Sequence, residues 1–159
     1  MTSAGGRHMH RLYENKDISV FWDSDKCRHA KKCVESSPAT FDPLRRPWID
    51  IEKADTPEIW QAVKKCPSGA LTCAYNHEII IKYNEAGSCS EAYHNGQKVG
   101  ECDYRVSSEA WVIFHTEVSP EFGGKEIAKR LVYRIAEEAD RRKVELKATC
   151  SYAIKILEL

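Results

Sequence analysis

The chain of 159 residues carries 24 Lys and Arg against 24 Asp and Glu, a formal net charge of zero at pH 7. That balance gives no long-range field to draw in nucleic acid or an anionic membrane, so any basic patch has to be local. No signal-like apolar stretch opens the sequence and nowhere do about 18 apolar residues follow one another, so a cytoplasmic protein is expected, whose seven cysteines serve metal, catalysis or burial rather than disulfides.

In chain order, residues 1–16 mix Gly5, Gly6 and polar groups without a helical or strand period, and a mobile tail is expected there. Ile18, Val20 and Trp22 alternate as a strand does. Pro47, Trp48, Ile49 and Ile51 predict a second strand after a Pro-containing turn. Asp55 or Thr56 is placed to cap a helix with Pro57 in its first turn, Ile59, Trp60 and Val63 form its apolar face, and Cys66-Pro67 stops it. Leu71 to Tyr75 is predicted extended.

After Asn76 the pattern changes. Ile79 to Ile81, Ser88 to Tyr93, Lys98 to Tyr104 and Trp111 to Thr116 predict a four-stranded meander with His94-Asn95-Gly96 as a hairpin turn. From near Gly124, the residues Ile127, Ala128, Leu131, Val132, Ile135, Ala136 and Ala139 share one helical face, and Val144 to Leu146 returns to strand. The chain is therefore expected to be α+β, with a tail over 1–16, one domain over 17–76 and another over 77–159, each small enough to want help in folding.

Three cysteines stand out in the first domain. Iron-sulfur clusters need several thiolates converging on one point, which a compact loop and one remote cysteine before Pro can supply. Here the loop is Cys27-Arg-His-Ala-Lys-Lys-Cys33, and the remote run is Cys66-Pro67-Ser68-Gly69-Ala70-Leu71. A cysteine at Ala30 would complete a C-x2-C-x2-C loop. With these residues, Phe41 and Pro47-Trp48, the stretch from Asp17 to Tyr75 resembles the divergent mono-cluster ferredoxin family. The resemblance implies an iron-sulfur cluster held by Cys27, Cys33 and Cys66, of three irons, or of four with a non-cysteine ligand. His29 and Cys73 are the spare donors, though a solvated histidine and a buried strand cysteine describe them as well. Zinc on three Cys and one His is the competing chemistry, but structural zinc sites pair ligands two to four residues apart, and Cys27 and Cys33 have five between them. Arg28, Lys31 and Lys32 around the loop would raise the reduction potential of an anionic cluster.

In the second domain, Glu117 to Ala128 leads from a strand into the long helix, the geometry in which backbone amides hold a pyrophosphate. His115-Thr116-Glu117-Val118, Pro120, Gly124, Ile127-Ala128, Leu131-Val132 and Cys150-Ser151-Tyr152 resemble the minimal acetyltransferases related to the GNAT superfamily. That resemblance implies a mixed sheet with a packed helix, an acetyl-CoA loop over Gly123, Gly124, Lys125, Glu126, Ile127 and Ala128, and transfer to an amine acceptor. The loop holds Gly123 where the family pattern has Gln or Arg, and Glu126 at the pattern's first glycine. His115 and Cys150 are the candidate catalytic groups, as base or nucleophile; a strand-end histidine and a packed thiol are the alternatives. Cys89 and Cys102 are assigned to packing. The function expected is a cluster protein with an acetyl-CoA-dependent N-acetyltransferase domain. The competing expectation is a redox or sensor protein that meets a redox partner protein and uses its second half for docking.

Overall fold

Alternating inward and outward side chains build the first sheet, in which His10–Glu14 (β1), Ile18–Asp23 (β2) and Leu71–Tyr75 (β3) run antiparallel in the order β1-β2-β3. Leu12 stands opposite Phe21 and Val20 opposite Cys73. The computed structural model describes residues 9–158, which fall into two units, one ending at Tyr75 and one beginning at Asn76. Among the described residues no helix is long and apolar enough to cross a membrane.

Two helices complete the first unit, Lys32–Ser36 (α1) and Thr56–Lys64 (α2). The Asp55 carboxylate accepts the Glu58 amide at 3.0 Å, and Pro57 occupies the first turn, where a missing N–H costs nothing. Ile59, Ala62 and Val63 are buried with Ile18, Val20, Phe41 and Ile49, at about 1.5–3 kcal/mol for each large apolar side chain. Ser37 Oγ donates to Glu58 Oε2 at 2.7 Å and ties the end of α1 to α2.

In the second unit Ile79–Asn84 (β4), Cys89–His94 (β5), Gln97–Ser107 (β6) and Ala110–Val118 (β7) form an antiparallel meander, and Glu145–Ala148 (β8) joins β7 in parallel. A parallel neighbour requires a crossover, which Ile127–Arg141 (α3) supplies. The Asn95-Gly96 turn has φ of 51° and 81°, the left-handed pair that matches the twist of a hairpin. Leu131, Val132, Ile135 and Ala139 of α3 are buried against the sheet. Arg130, also buried, donates Nη2 to the Ile79 carbonyl at 2.9 Å, and Ser90 Oγ donates to the Leu131 carbonyl at 2.8 Å. Although burial opposes its charge, the Glu138 carboxyl is held down at about 2 by Arg141, Arg142 and Arg134. Ser151–Leu157 (α4) closes the unit by burying Ala153 and Leu157.

The α+β expectation, with a mixed sheet and a packed helix, holds. Two local expectations do not. Of the tail expected over 1–16, residues 1–8 lie outside the described residues, while His10–Glu14 is strand β1. Its inward positions are His10 and Leu12, and a histidine at a buried position hides the apolar alternation. The strand expected around Trp48 and Ile49 is reduced to a single bridge, Phe41 to Ile49. The bridge is flanked by the Asp42 amide on the Trp48 carbonyl at 2.8 Å and the Asp50 amide on the Thr40 carbonyl at 2.9 Å, and the Arg45 guanidinium adds bonds to the carbonyls of Ala39, Thr40 and Trp48 at 3.0, 2.8 and 3.2 Å.

Candidate functional site

Cys27 follows the short 3-10 turn Ser24–Lys26, Cys33 lies in the first turn of α1, and Cys66 follows the end of α2. All three are half-buried and line one cavity of about 530 Å3, with Trp22, Trp48 and Leu71 as its apolar wall and Arg28, Lys31, Lys32 and Arg46 among its basic groups. Trp22 meets Trp48 edge-on at 4.9 Å between ring centroids, which fixes that wall. Burial pushes the Cys33 thiol up, and the nearby sulfurs of Cys66 and Cys27 push the same way, the repulsion expected of thiolates that share a site. At Cys66, burial is outweighed by the Leu71 amide, the Ser68 hydroxyl and the Ser68 and Ala70 amides, so this thiol is lowered. The Cys66-Pro67-Ser68-Gly69-Ala70-Leu71 run is thus a nest of N–H groups around one sulfur.

Donor geometry bears on the two metals considered. A tetrahedral zinc with bonds near 2.3 Å sets its sulfurs about 3.8 Å apart. Cys27, Cys33 and Cys66 do not all lie within 4.8 Å of one another; among the described residues that criterion gathers Glu101, Asp103 and His115. The cavity, its basic lining and the N–H groups on Cys66 suit an anionic thiolate-held group.

In the second unit β7 and β8 pair from Ala110 with Glu145 to Ile113 with Ala148, and then part. Thr149 and Cys150 donate their amides to the Ile113 carbonyl at 2.9 and 3.2 Å as the chain turns into α4, while β7 runs on to Val118. The carboxyl ends of parallel strands are where open sheets receive ligands. The loop after β7 turns through Gly124 (φ 76°) and Glu126 (φ 62°) into α3, whose first amides have no side-chain cap. Glu126 therefore has the left-handed backbone that glycine adopts without strain.

Residues 13–76 match a family described as "Divergent 4Fe-4S mono-cluster", and residues 90–159 match the GCN5-related N-acetyltransferases. Over 69 residues, 43% of its length, the chain is 32% identical to YjdI, an uncharacterised protein of Escherichia coli K12, and covers 88% of it. Over its first unit the chain belongs to the divergent 4Fe-4S mono-cluster family. Among solved structures, a GCN5-like protein of Staphylococcus aureus is 30% identical, with 51% of this chain and 79% of that one covered at a TM-score of 0.41. The PaiA N-acetyltransferase of Thermoplasma acidophilum, solved with coenzyme A, is 11% identical, with 80% and 74% covered at a TM-score of 0.38.

Within the GCN5-related unit, His115 and Cys150 do not come together. A bulge between Asp103 and Tyr104 leaves Phe114 exposed, and beyond it Thr116 faces inward opposite Cys102. The Thr116 hydroxyl donates to Cys102 Sγ at 3.6 Å, and Cys150 Sγ donates to Thr116 Oγ1 at 3.5 Å. His115, one residue away, faces the other side of the sheet. There it bonds Glu117 at 3.1 Å and neighbours Glu101 and Asp103. For Cys150 burial is outweighed by the Thr116 hydroxyl and the Ala153 and Tyr152 amides, and its thiol is lowered. The Cys102 thiol, buried, is pushed up to about 12. Burial, and then the hydrogen bond that its protonated carboxyl donates to Glu101, raise Asp103 to about 6.

Within the mono-cluster unit, His29 lines the thiol cavity, whereas Cys73 pairs with Val20 in the sheet and packs against the core. Sequence reasoning passed over Thr116, which links two thiols, and the amide nest of 68–71. Thr116 was within reach through the alternation of β7 beside His115; the nest depends on a turn geometry that spacing does not reveal.

Proposed function

We propose that the protein is an iron-sulfur protein whose second unit binds acetyl-CoA and passes the acetyl group to an amine. The observation that carries this reading is the convergence of Cys27, Cys33 and Cys66 on one cavity, with Cys66 wrapped in amides and basic groups around the opening. These three residues would hold the cluster, which supplies electron exchange or a structural clamp. A reducing cytoplasm keeps such thiols available.

In the second unit, the amides from Gly124 to Ala128 would receive the pyrophosphate of the cofactor, with Lys125 adding positive charge, while the Gly123 amide closes the preceding turn on the Pro120 carbonyl at 3.1 Å. When bound, acetyl-CoA supplies an activated thioester. Cys150 Sγ, lowered and placed where β7 and β8 part, is the chain's group for holding or moving a proton there; His115 faces away from it. A second reading has its own observation. The Glu126 carboxylate at the start of α3 opposes an anionic cofactor, which favours a redox or sensor protein whose GCN5-related unit docks a partner. Titrating the anaerobically purified protein with acetyl-CoA in a calorimeter separates the two. Saturable heat with one site supports the transferase, and no heat supports the docking unit.

A further inference from the structure

We propose that the His29 imidazole is the fourth ligand of the cluster, completing a three-cysteine, one-histidine set with Cys27, Cys33 and Cys66. This rests on the reading of the first unit as a cluster domain. A cube of four irons has four positions for an outer ligand, three cysteines fill three of them, and the loop offers Ala30 where another thiolate would stand. The vacancy has to be met by a donor that already faces the cavity. Cys73 is not one of its lining residues, being held in register with Val20. Met9 lines it, but its sulfur already receives Arg11 Nη2 at 3.6 Å. Ser68 lines it too, and its hydroxyl is shared between Cys66 Sγ at 3.6 Å and the Ala70 amide at 3.3 Å.

His29 differs from all of these. Its ring makes no hydrogen bond among the described residues, and its one recorded bond is from the backbone N–H to Cys27 Sγ at 3.4 Å. That bond points the His29 backbone at the first ligand. A left-handed backbone at His29 (φ 56°) and again at Lys31 (φ 64°) folds the loop around the cavity between Cys27 and Cys33. Ala30 lines the cavity but carries no donor atom, whereas the imidazole beside it does. A neutral imidazole in place of a thiolate leaves the cluster one charge less negative. Its potential rises.

The test compares the full chain, purified without oxygen, as wild type, His29→Ala and His29→Cys. Wild type is expected to hold about four irons per chain and, when labelled with 15N-histidine, to show a nitrogen coupling in pulsed electron paramagnetic resonance of the reduced cluster. His29→Ala should drop to about three irons, with the resonance of an oxidised three-iron cluster. His29→Cys should keep about four irons, lose the nitrogen coupling and have a lower potential. An unchanged iron count and spectrum in His29→Ala, or a nitrogen coupling that persists in His29→Cys, overturns the assignment of His29 alone. Wild type without iron and sulfide overturns the cluster reading and His29 with it.

Discussion

The two units place their chemistry differently with respect to their cores. In the first, Cys27, Cys33 and Cys66 pack directly against the buried cluster of Val20, Phe41, Ile59 and Leu71, so the ligands belong to the wall of the core. In the second, Ile113, Leu131, Val132 and Ile135 close a core beneath α3 against which Cys150 also packs, while the 123–126 loop, where the cofactor would sit, lies at its margin. A site built into the core ties folding to its occupant; a site at the margin can be altered without loss of the fold.

The largest expected effect exploits that contrast. Cys27→Ser, Cys33→Ser or Cys66→Ser should bleach the visible absorption and destabilise the first unit by several kcal/mol, because the free energy of binding a structural metal group is also free energy of folding. Cys150→Ser should leave both the absorption and the circular dichroism of the protein intact. Cys73→Ser belongs with it, since that thiol faces the core and not the cavity. Equal damage from Cys150→Ser and Cys27→Ser would erase the distinction.

Glu138 tests the second core by charge. Its folded pKa of about 2 lies below its ordinary value of 4.5, so its contribution is present above pH 4.5 and is lost as pH falls toward 2. Glu138→Gln should therefore cost about 2 kcal/mol at pH 7 after allowance for the water around Arg141 and Arg142, and almost nothing near pH 2. Urea unfolding of the second unit at the two pH values checks this.

Glu126→Gly should tighten acetyl-CoA binding by about tenfold, since it removes a negative charge near the expected pyrophosphate. It should also stabilise the second unit by about 1 kcal/mol, because glycine adopts the left-handed backbone without penalty. Calorimetry reads the first effect and thermal unfolding the second. Stability gained without tighter binding would leave the loop as a turn alone.

Asp103 has the smallest effect and the opposite sign to Glu138. Its folded pKa of about 6 exceeds the ordinary 3.8, so the folded state loses stability as pH rises through 6. Asp103→Asn should stabilise the second unit by about 1 kcal/mol at pH 8 and change little at pH 3. Unfolding midpoints at the two values decide it.

Long elements with a clear period were legible in the sequence. The face of α3 followed from Leu131, Val132, Ile135 and Ala139, and the start of α2 from Asp55 and Pro57. The loop of Cys27 and Cys33 with the remote Cys66 could be read from spacing because a cluster constrains spacing. Where a polar side chain filled an apolar place, reading failed: His10 occupies an inward position of β1. That His115 and Cys150 lie on different sides of the sheet was hidden for another reason. Sequence proximity to Thr116 says nothing about the face, and the bulge at Phe114 resets the alternation just before His115. α1 and α4 are too short for a period to emerge.

The claim that the first site is part of its fold, and the second is not, is tested most directly by scanning calorimetry of the protein before and after anaerobic removal of iron by a chelator. The account predicts two transitions in the iron-loaded protein, of which the one assigned to the first unit by Cys27→Ser disappears on stripping while the other keeps its midpoint. Two unchanged transitions after the iron is gone, or the loss of both together, would contradict it.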